Sequence, residues 1–259
     1  MATASRSTLR RLLPLAGIAG FILVWGLRTG PMGTSLVPGP WAVLLAIVEL
    51  AAKGTLWKHL VASLFRVTWG FGLGAAVGIP LGLTLAWFPR GERSLNPYVQ
   101  ILRPISPLAW TPLAILWFGV GDIPAIFIIF LGTVLPVTVM AMNAVGSVDQ
   151  VHVNVARNFG LTSWQIIRRI VLPSAWPQLV TGLRLTLGIA WLVVVAAEML
   201  AVTSGLGFLV IDSRNAGDRY DVVVAGMVLI GLTGLALDSF MKSVSSGVRQ
   251  APAVPAERP

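Results

Sequence analysis

Two ionisable side chains lie inside an apolar run, where charge is expensive. Arg184 and Glu198 both fall within residues 179–202 and stand 14 positions apart, roughly 21 Å along a helix at 1.5 Å per residue. They are too distant to pair with each other. Ionisable groups in a lipid-crossing helix face the protein interior or a water-filled passage, and by default they mark a route for solute. For Glu198, near one end of the run, two chemistries fit. It is a pathway or gate carboxylate, or it forms a structural ion pair with an arginine beyond the run, such as Arg214. A carboxylate is an unusual lining for an anion passage. Arg184, near the other end, is placed to extend its stem to the headgroup layer. Trp191 lies seven positions before Glu198, near the same helix face. It either stacks in a substrate passage or packs between helices.

No catalytic constellation accompanies these residues. The chain has no Cys, and its two histidines, His59 and His152, are far apart in sequence without a metal-ligand pattern around them. There is no phosphate-cradling GxxxxGK[ST], no usefully paired carboxylates and no nucleophile-base-acid arrangement. No catalytic residue, metal or cofactor is expected on the chain itself. If ATP drives its work, another chain must hydrolyse it.

The second chemically distinctive stretch is residues 154–173, NVARNFGLTSWQIIRRIVLP. Arg157, Arg168 and Arg169 sit in it with no acid to balance them. Residues 151–159 contain neither Pro nor Gly and can form a short helix. Gly160 supplies a left-handed helix stop. Thr162 followed by Gln165 is a capping-box signature for a second helix. Trp164, Ile167 and Val171 give that helix one apolar face. Pro173 is expected to end it. The unit reads as helix, glycine turn, helix. A short helix offering a narrow apolar and cationic face suits a groove on a soluble partner.

The elements around these residues belong in a bilayer. Of 259 residues, 56% are hydrophobic and only 11% charged, whereas a soluble domain carries about 25% charged residues. At about 20 apolar residues per crossing, six spans are expected, at about 12–27, 67–88, 101–120, 123–145, 179–202 and 222–237. No cleavage site follows the first apolar run, which reads as a retained anchor. Residues 41–52 read as an interfacial helix that 56–66 continues, 88–98 and 203–221 as loops, and the tail from Val248 as disordered. Span three holds Pro104, Pro107 and Pro112 and must be broken or kinked. Pro80 should disturb span two locally, where Gly70, Gly74, Gly78 and Gly82 also form a small-residue ridge. Such a ridge admits close approach of another helix, as static packing or as a crossing that slides.

The net charge of +9 comes from basic residues scattered at the ends of apolar runs. That pattern excludes a nucleic-acid surface and fits positive-inside bias. Arg6, Arg10, Arg11, Arg90, Arg93, Arg103, Arg157, Arg168, Arg169, Lys242, Arg249 and Arg258 fall on one side, 12 in all; Arg28, Lys53, Lys58, Arg66, Arg214 and Arg219 fall on the other, 6 in all. Both termini and the helix pair are therefore expected in the cytoplasm, on one side of a multi-pass membrane protein.

At residues 154–173 the chain resembles the ABC importer permeases, whose cytoplasmic signature is Glu-Ala-Ala, three residues, Gly, nine residues, Ile-x-Leu-Pro. Ala156, Gly160, Ile170, Leu172 and Pro173 fall in that register, while Asn154 and Val155 stand where the family has Glu and Ala. The segments 102–121, 182–200 and 204–210 are similar to the sulfonate, taurine and nitrate branch. The resemblance implies an all-α transmembrane protein of the type I importer kind, a six-helix bundle with a cytoplasmic coupling-helix pair at 150–175. It implies a homodimer in membrane lipid. Two ATP-binding subunits, which would hold ATP and Mg, dock on Asn154, Ala156, Arg157, Gly160, Ile170, Leu172 and Pro173. A periplasmic or lipid-anchored substrate-binding protein delivers a small anion, either an aliphatic sulfonate such as taurine, or nitrate or bicarbonate. A permease for a thiamine precursor, an ion-gradient-driven transporter and a membrane scaffold are the alternatives. No internal repeat of the kind common in secondary transporters is visible.

Overall fold

The computed structural model describes residues 2–30, 33–34, 36–217 and 219–249. The tail beyond residue 249, read above as disordered, lies outside them. In chain order the helices are α1 (Ala2–Thr29), α2 (Pro40–Ala52), α3 (Thr55–Trp87), α4 (Pro89–Leu102), α5 (Thr111–Phe118), α6 (Asp122–Gly146), α7 (Gln150–Asn158), α8 (Ser163–Ile166), α9 (Leu172–Ala201), α10 (Leu206–Asn215) and α11 (Tyr220–Arg249). A short 3-10 turn, Pro107–Trp110, precedes α5, and a π-helical segment, Ile167–Val171, joins α8 to α9.

The organising contact is the crossing of α3 and α6. A side chain at Gly70 would meet Ile129, at Gly74 Thr133, at Gly78 Val137 and at Gly82 Ala141. Each partner lies 59 positions further along, so the two helices run parallel in constant register. At Gly74 a Cβ would stand 2.7 Å from Thr133, and at Gly82 it would overlap the Thr138 carbonyl. The hydroxyls of Thr133 and Thr138 donate to the Ile129 and Val134 carbonyls one turn back, at 2.7 and 2.8 Å, so neither is an orphan in the seam.

Parallel α3 and α6 require the chain to return between them. It does so through α4, the 3-10 turn and α5, broken at residues 103–106 and again before Thr111. Pro104, Pro107 and Pro112 lie at those breaks and lack the N–H that a continuous helix needs. Among the described residues four helices are long and apolar enough to cross a membrane: Thr55–Trp87, Asp122–Gly146, Ser163–Ala201 and Tyr220–Ser245.

Several expected boundaries move. Residues 56–66 belong to α3 rather than to an interfacial helix, because Lys58, His59 and Arg66 are accommodated on a helix that continues into the span. Pro80 leaves α3 unbroken, with the Thr84 hydroxyl donating to the Pro80 carbonyl at 2.9 Å. Residues 89–102 are helical, opened by Pro89 in the first turn where a missing N–H is harmless. Pro173 does not end a helix. The π-helical segment before it takes up the register change, and Ser163–Ala201 is one continuous 39-residue helix. The polar stretch after α9 contains α10, whose Leu206, Gly207, Leu209 and Val210 are buried.

Candidate functional site

At the end of the molecule where α3 and α6 stop, α7 and α8 fold against the end of α6 and the start of α9. Asp149 caps α7 by accepting the Val151 N–H at 2.9 Å. The α7 terminus is closed by two bonds: the Gly160 N–H donates to the Arg157 carbonyl at 2.9 Å and the Leu161 N–H to the Ala156 carbonyl at 3.1 Å. This pattern needs a left-handed residue, and Gly160 has φ of +76°. Thr162 and Gln165 then form the reciprocal capping box. Both turns are specified by local residue chemistry, which is why they are visible in the sequence.

The unit has an inner and an outer face. Val153, Ala156, Ile166 and Val171 are buried in a cluster with Ala144, Val145 and Leu179, and Leu161, Ile170 and Leu172 pack against it. Ala156 is packed in the chain's own core and also forms part of the floor of the surface cup beside it. Asn154, Arg157, Arg168, Arg169 and Pro173 are exposed. Phe159 is 80% exposed and Trp164 68%. Beside Phe159 lies an apolar cup of about 340 Å³, lined by Val151, His152, Val155, Ala156, Phe159, Leu161 and Ile170. Large apolar side chains presented around a concave surface, on a unit that also exposes Arg157, Arg168 and Arg169, suit a protein partner.

The opposite end holds a buried polar cluster. Arg66 is 1% exposed and Glu198 is fully buried. Arg66 Nη1 donates to Glu198 Oε1 and to the Ser204 carbonyl, both at 2.7 Å, and Nε donates to Asp122 Oδ1 at 2.8 Å. Glu198 Oε2 also accepts from the Ser63 hydroxyl at 2.9 Å and the Gly207 N–H at 3.0 Å. The Gly205 N–H donates to His59 Nδ1 and the Leu206 N–H to Ser63 Oγ, each at 2.9 Å. The first N–H groups of α10, which have no partner within their own helix, are thus satisfied by side chains of α3 and α9. A side chain at Gly205 would overlap the Glu198 carboxylate. The arginine paired with Glu198 is Arg66, not Arg214. The signal in the sequence was a polar stripe, His59, Ser63 and Arg66, at i, i+4, i+7 on an apolar helix.

Arg184 and Trp191 lie together on α9 opposite α11. Arg184 forks onto Asp238, with Nε to Oδ1 at 2.6 Å and Nη2 to Oδ2 at 2.7 Å. Trp191 is 5% exposed and its Nε1–H donates to the Ile230 carbonyl at 3.1 Å. Asp238 lay at the edge of the expected sixth span. An acid and a base in neighbouring apolar helices were the signal that would have paired it with Arg184.

A smaller ion cluster ties α2 to the start of α11. Lys53 and Arg219 both bond Glu49, at 2.5 and 2.8 Å, and Asp221 bonds Arg219. The Lys53 bond, then Arg219, hold the Glu49 carboxyl down at about 2. Among the described residues no group of His, Cys, Asp and Glu is arranged to hold a metal.

Comparison with known proteins places this arrangement. The family model for the binding-protein-dependent transport system inner membrane component matches residues 78–250. A Bacillus subtilis permease protein named for aliphatic sulfonates transport is 37% identical over 231 residues, covering 89% of this chain and 83% of that one. The taurine transport system permease protein of Escherichia coli is 36% identical, covering 80% and 77%. The bicarbonate transport system permease protein of Synechococcus elongatus is 35% identical, covering 89% and 86%. Among solved structures, the inward-facing MetNI methionine ABC transporter superposes with a TM-score of 0.67 at 20% identity, covering 80% of this chain and 97% of that one. A bacterial ABC transporter that imports alginate gives 0.65 at 17%, covering 96% and 100%. At those identities the structural likeness is one of fold.

Proposed function

The chain belongs to the family of binding-protein-dependent transport system inner membrane components and is the permease component of an ABC importer, and from that premise we propose what it carries and how it is driven. Its cargo is a small anion of the sulfonate class, with taurine the first to test; nitrate and bicarbonate are the neighbouring choices. The support is the relatives' names, which include aliphatic sulfonates, taurine and bicarbonate transport.

The chain works as a homodimer, with ATP and Mg on two separate ATP-binding subunits and a substrate-binding protein delivering cargo. The observation that carries this reading is the cup beside Phe159. Each ATP-binding subunit offers it an apolar ridge flanked by acidic residues, which meet Arg157, Arg168 and Arg169. Gly160 and the capping box hold α7 at a fixed angle to the long helix Ser163–Ala201, so a push on the cup is passed to α9. Asn154, on the exposed side of α7, takes a neutral contact where the family signature has a glutamate. Both termini and the cup face the cytoplasm, a reading supported by the 12:6 distribution of Lys and Arg. Trp191 borders the solute route, and the Arg66–Glu198 cluster closes the far end as a fixed gatepost.

The test is uptake into liposomes holding the assembled importer. ATP-dependent taurine uptake that persists when a protonophore collapses the ion gradient supports the reading. Uptake abolished by the protonophore would assign the chain to gradient-driven transport.

A further inference from the structure

The Arg184–Asp238 pair has two properties that a simple structural bridge in lipid does not need. It is accessible: the side chains are 34% and 51% exposed. It also borders a groove of about 370 Å³ between α9 and α11, walled by Leu185, Leu187, Trp191, Leu192 and Leu237 with Gly188 and Gly234 between them. Charged groups in membrane-spanning helices face protein or water, not acyl chains. The pair therefore lies at the wall of this groove and not inside the bundle core. Arg66 provides the contrast, since its guanidinium is buried and bonded to Glu198, Asp122 and Ser204. Arg184 commits two nitrogens to one carboxylate, and its Nη1 makes no hydrogen bond among the described residues.

We propose that this groove is a binding site for the oxyanion head of the cargo, and that the head exchanges with the Asp238 carboxylate on the Arg184 fork. The proposal rests on the sulfonate-class reading above. A guanidinium fork presents two parallel N–H donors that fit two oxygens of a sulfonate as they fit those of a carboxylate. Leu185, Leu187 and the Trp191 ring meet the carbon side of a short alkylsulfonate. Charge is conserved through the exchange. Lys242 lies one helical turn beyond Asp238 and attracts it electrostatically, so Asp238 turns to Lys242 when the cargo takes Arg184. Arg184, Lys242, Asp238 and a monoanion sum to zero. Asp238 thus competes with the cargo, which keeps binding weak enough for release.

The test uses the assembled importer in lipid nanodiscs with sodium ethanesulfonate as probe. The dissociation constant is read from the tryptophan fluorescence change that disappears in Trp191→Phe. Removing the competitor with Asp238→Asn should tighten binding at least tenfold. Arg184→Gln should weaken it at least tenfold, and the double variant should stay as weak as Arg184→Gln. A bridge that only holds α9 to α11 gives the opposite pattern: Asp238→Asn binds no tighter than wild type, and the neutral double variant recovers wild-type behaviour. Asp238→Ser repeats the measurement with a smaller neutral side chain should Asp238→Asn fail to assemble. Wild-type taurine uptake is followed on the same preparation. Uptake with unchanged ethanesulfonate affinity in both single variants overturns the Arg184 site and leaves the cargo reading standing. No uptake and no ethanesulfonate binding overturns both.

Discussion

Gly82→Ala and Gly72→Ala make the same chemical change on the same helix, and they should move stability in opposite directions. Each gains about 1 kcal/mol of helix propensity by replacing glycine. At Gly72 nothing lies within 4 Å of the added methyl, so the gain stands alone. At Gly82 the methyl overlaps the Thr138 carbonyl and stands 2.6 Å from Ala141 Cβ. Ordinary carbon contact begins near ~3.5 Å, so the crossing must open by roughly 0.9 Å by that criterion. The obstacle is a main-chain oxygen, which cannot rotate aside. Overpacking of this kind costs about 1–3 kcal/mol. Because the propensity gain is common to both variants, their difference isolates the crossing and should equal that ~1–3 kcal/mol. The assay is reversible unfolding in mixed micelles, with size-exclusion chromatography to follow dimer assembly. Gly78→Leu should fail to assemble, since even a Cβ there stands 2.8 Å from the Val134 carbonyl, whereas Gly20→Leu on α1 meets open space. Equal stabilities for Gly82→Ala and Gly72→Ala would refute the argument that α3 and α6 touch backbone to backbone.

Three further outcomes are expected. Arg66→Gln leaves Glu198 buried without its cation and should destabilise by about 3–5 kcal/mol, whereas replacing both by Met should recover much of the loss; unfolding midpoints of the three variants decide it. Cysteine introduced at Ser163 should be shielded from an impermeant thiol reagent in intact cells and cysteine at Ala216 labelled, a clean comparison because the chain has no native Cys. The Glu49 carboxyl is held near 2, below its ordinary 4.5, so its contribution is complete above 4.5 and lost as pH falls toward about 2. The melting difference between wild type and Glu49→Gln should accordingly be flat from pH 5 to 8 and shrink only in acid, as calorimetry at stepped pH would show.

What could be read from the sequence was what short-range chemistry encodes. The Gly160 turn and the Thr162–Gln165 cap each depend on residues within one helical turn of one another. The glycine ridge depends only on a period of four along α3. What escaped depends on partners far along the chain. Residues 56–66 looked too polar to enter a span because Arg66 finds Glu198 from 132 positions away. The stretch after α9 looked like loop because the N–H groups opening α10 are satisfied by His59 and Ser63 on α3. Pro173 looked like a helix end because a π-helical segment, which relocates the missing bond, has no residue signature. The inward face of Ala156 was also hidden, and it changes how the docking surface should be probed. An acid there would break the chain's own core together with any interface, so the diagnostic position is the exposed Phe159.

Phe159→Asp, with Gly160→Val beside it, tests the central claim that residues 154–173 couple ATP hydrolysis to transport. Phe159 is 80% exposed, so an aspartate there leaves the permease fold intact while placing a charge at the apolar cup. Gly160→Val strains a residue whose φ is +76°, at about 1–2 kcal/mol. Uptake, co-purification of the ATP-binding subunit and ATPase rate are measured on one preparation. Uptake should fall at least tenfold, which needs only about 1.4 kcal/mol of lost coupling. The ATP-binding subunit should be lost, or its rate should no longer rise with the substrate-binding protein. Wild-type values of all three in both variants would contradict the claim and reduce the helix pair to a loop.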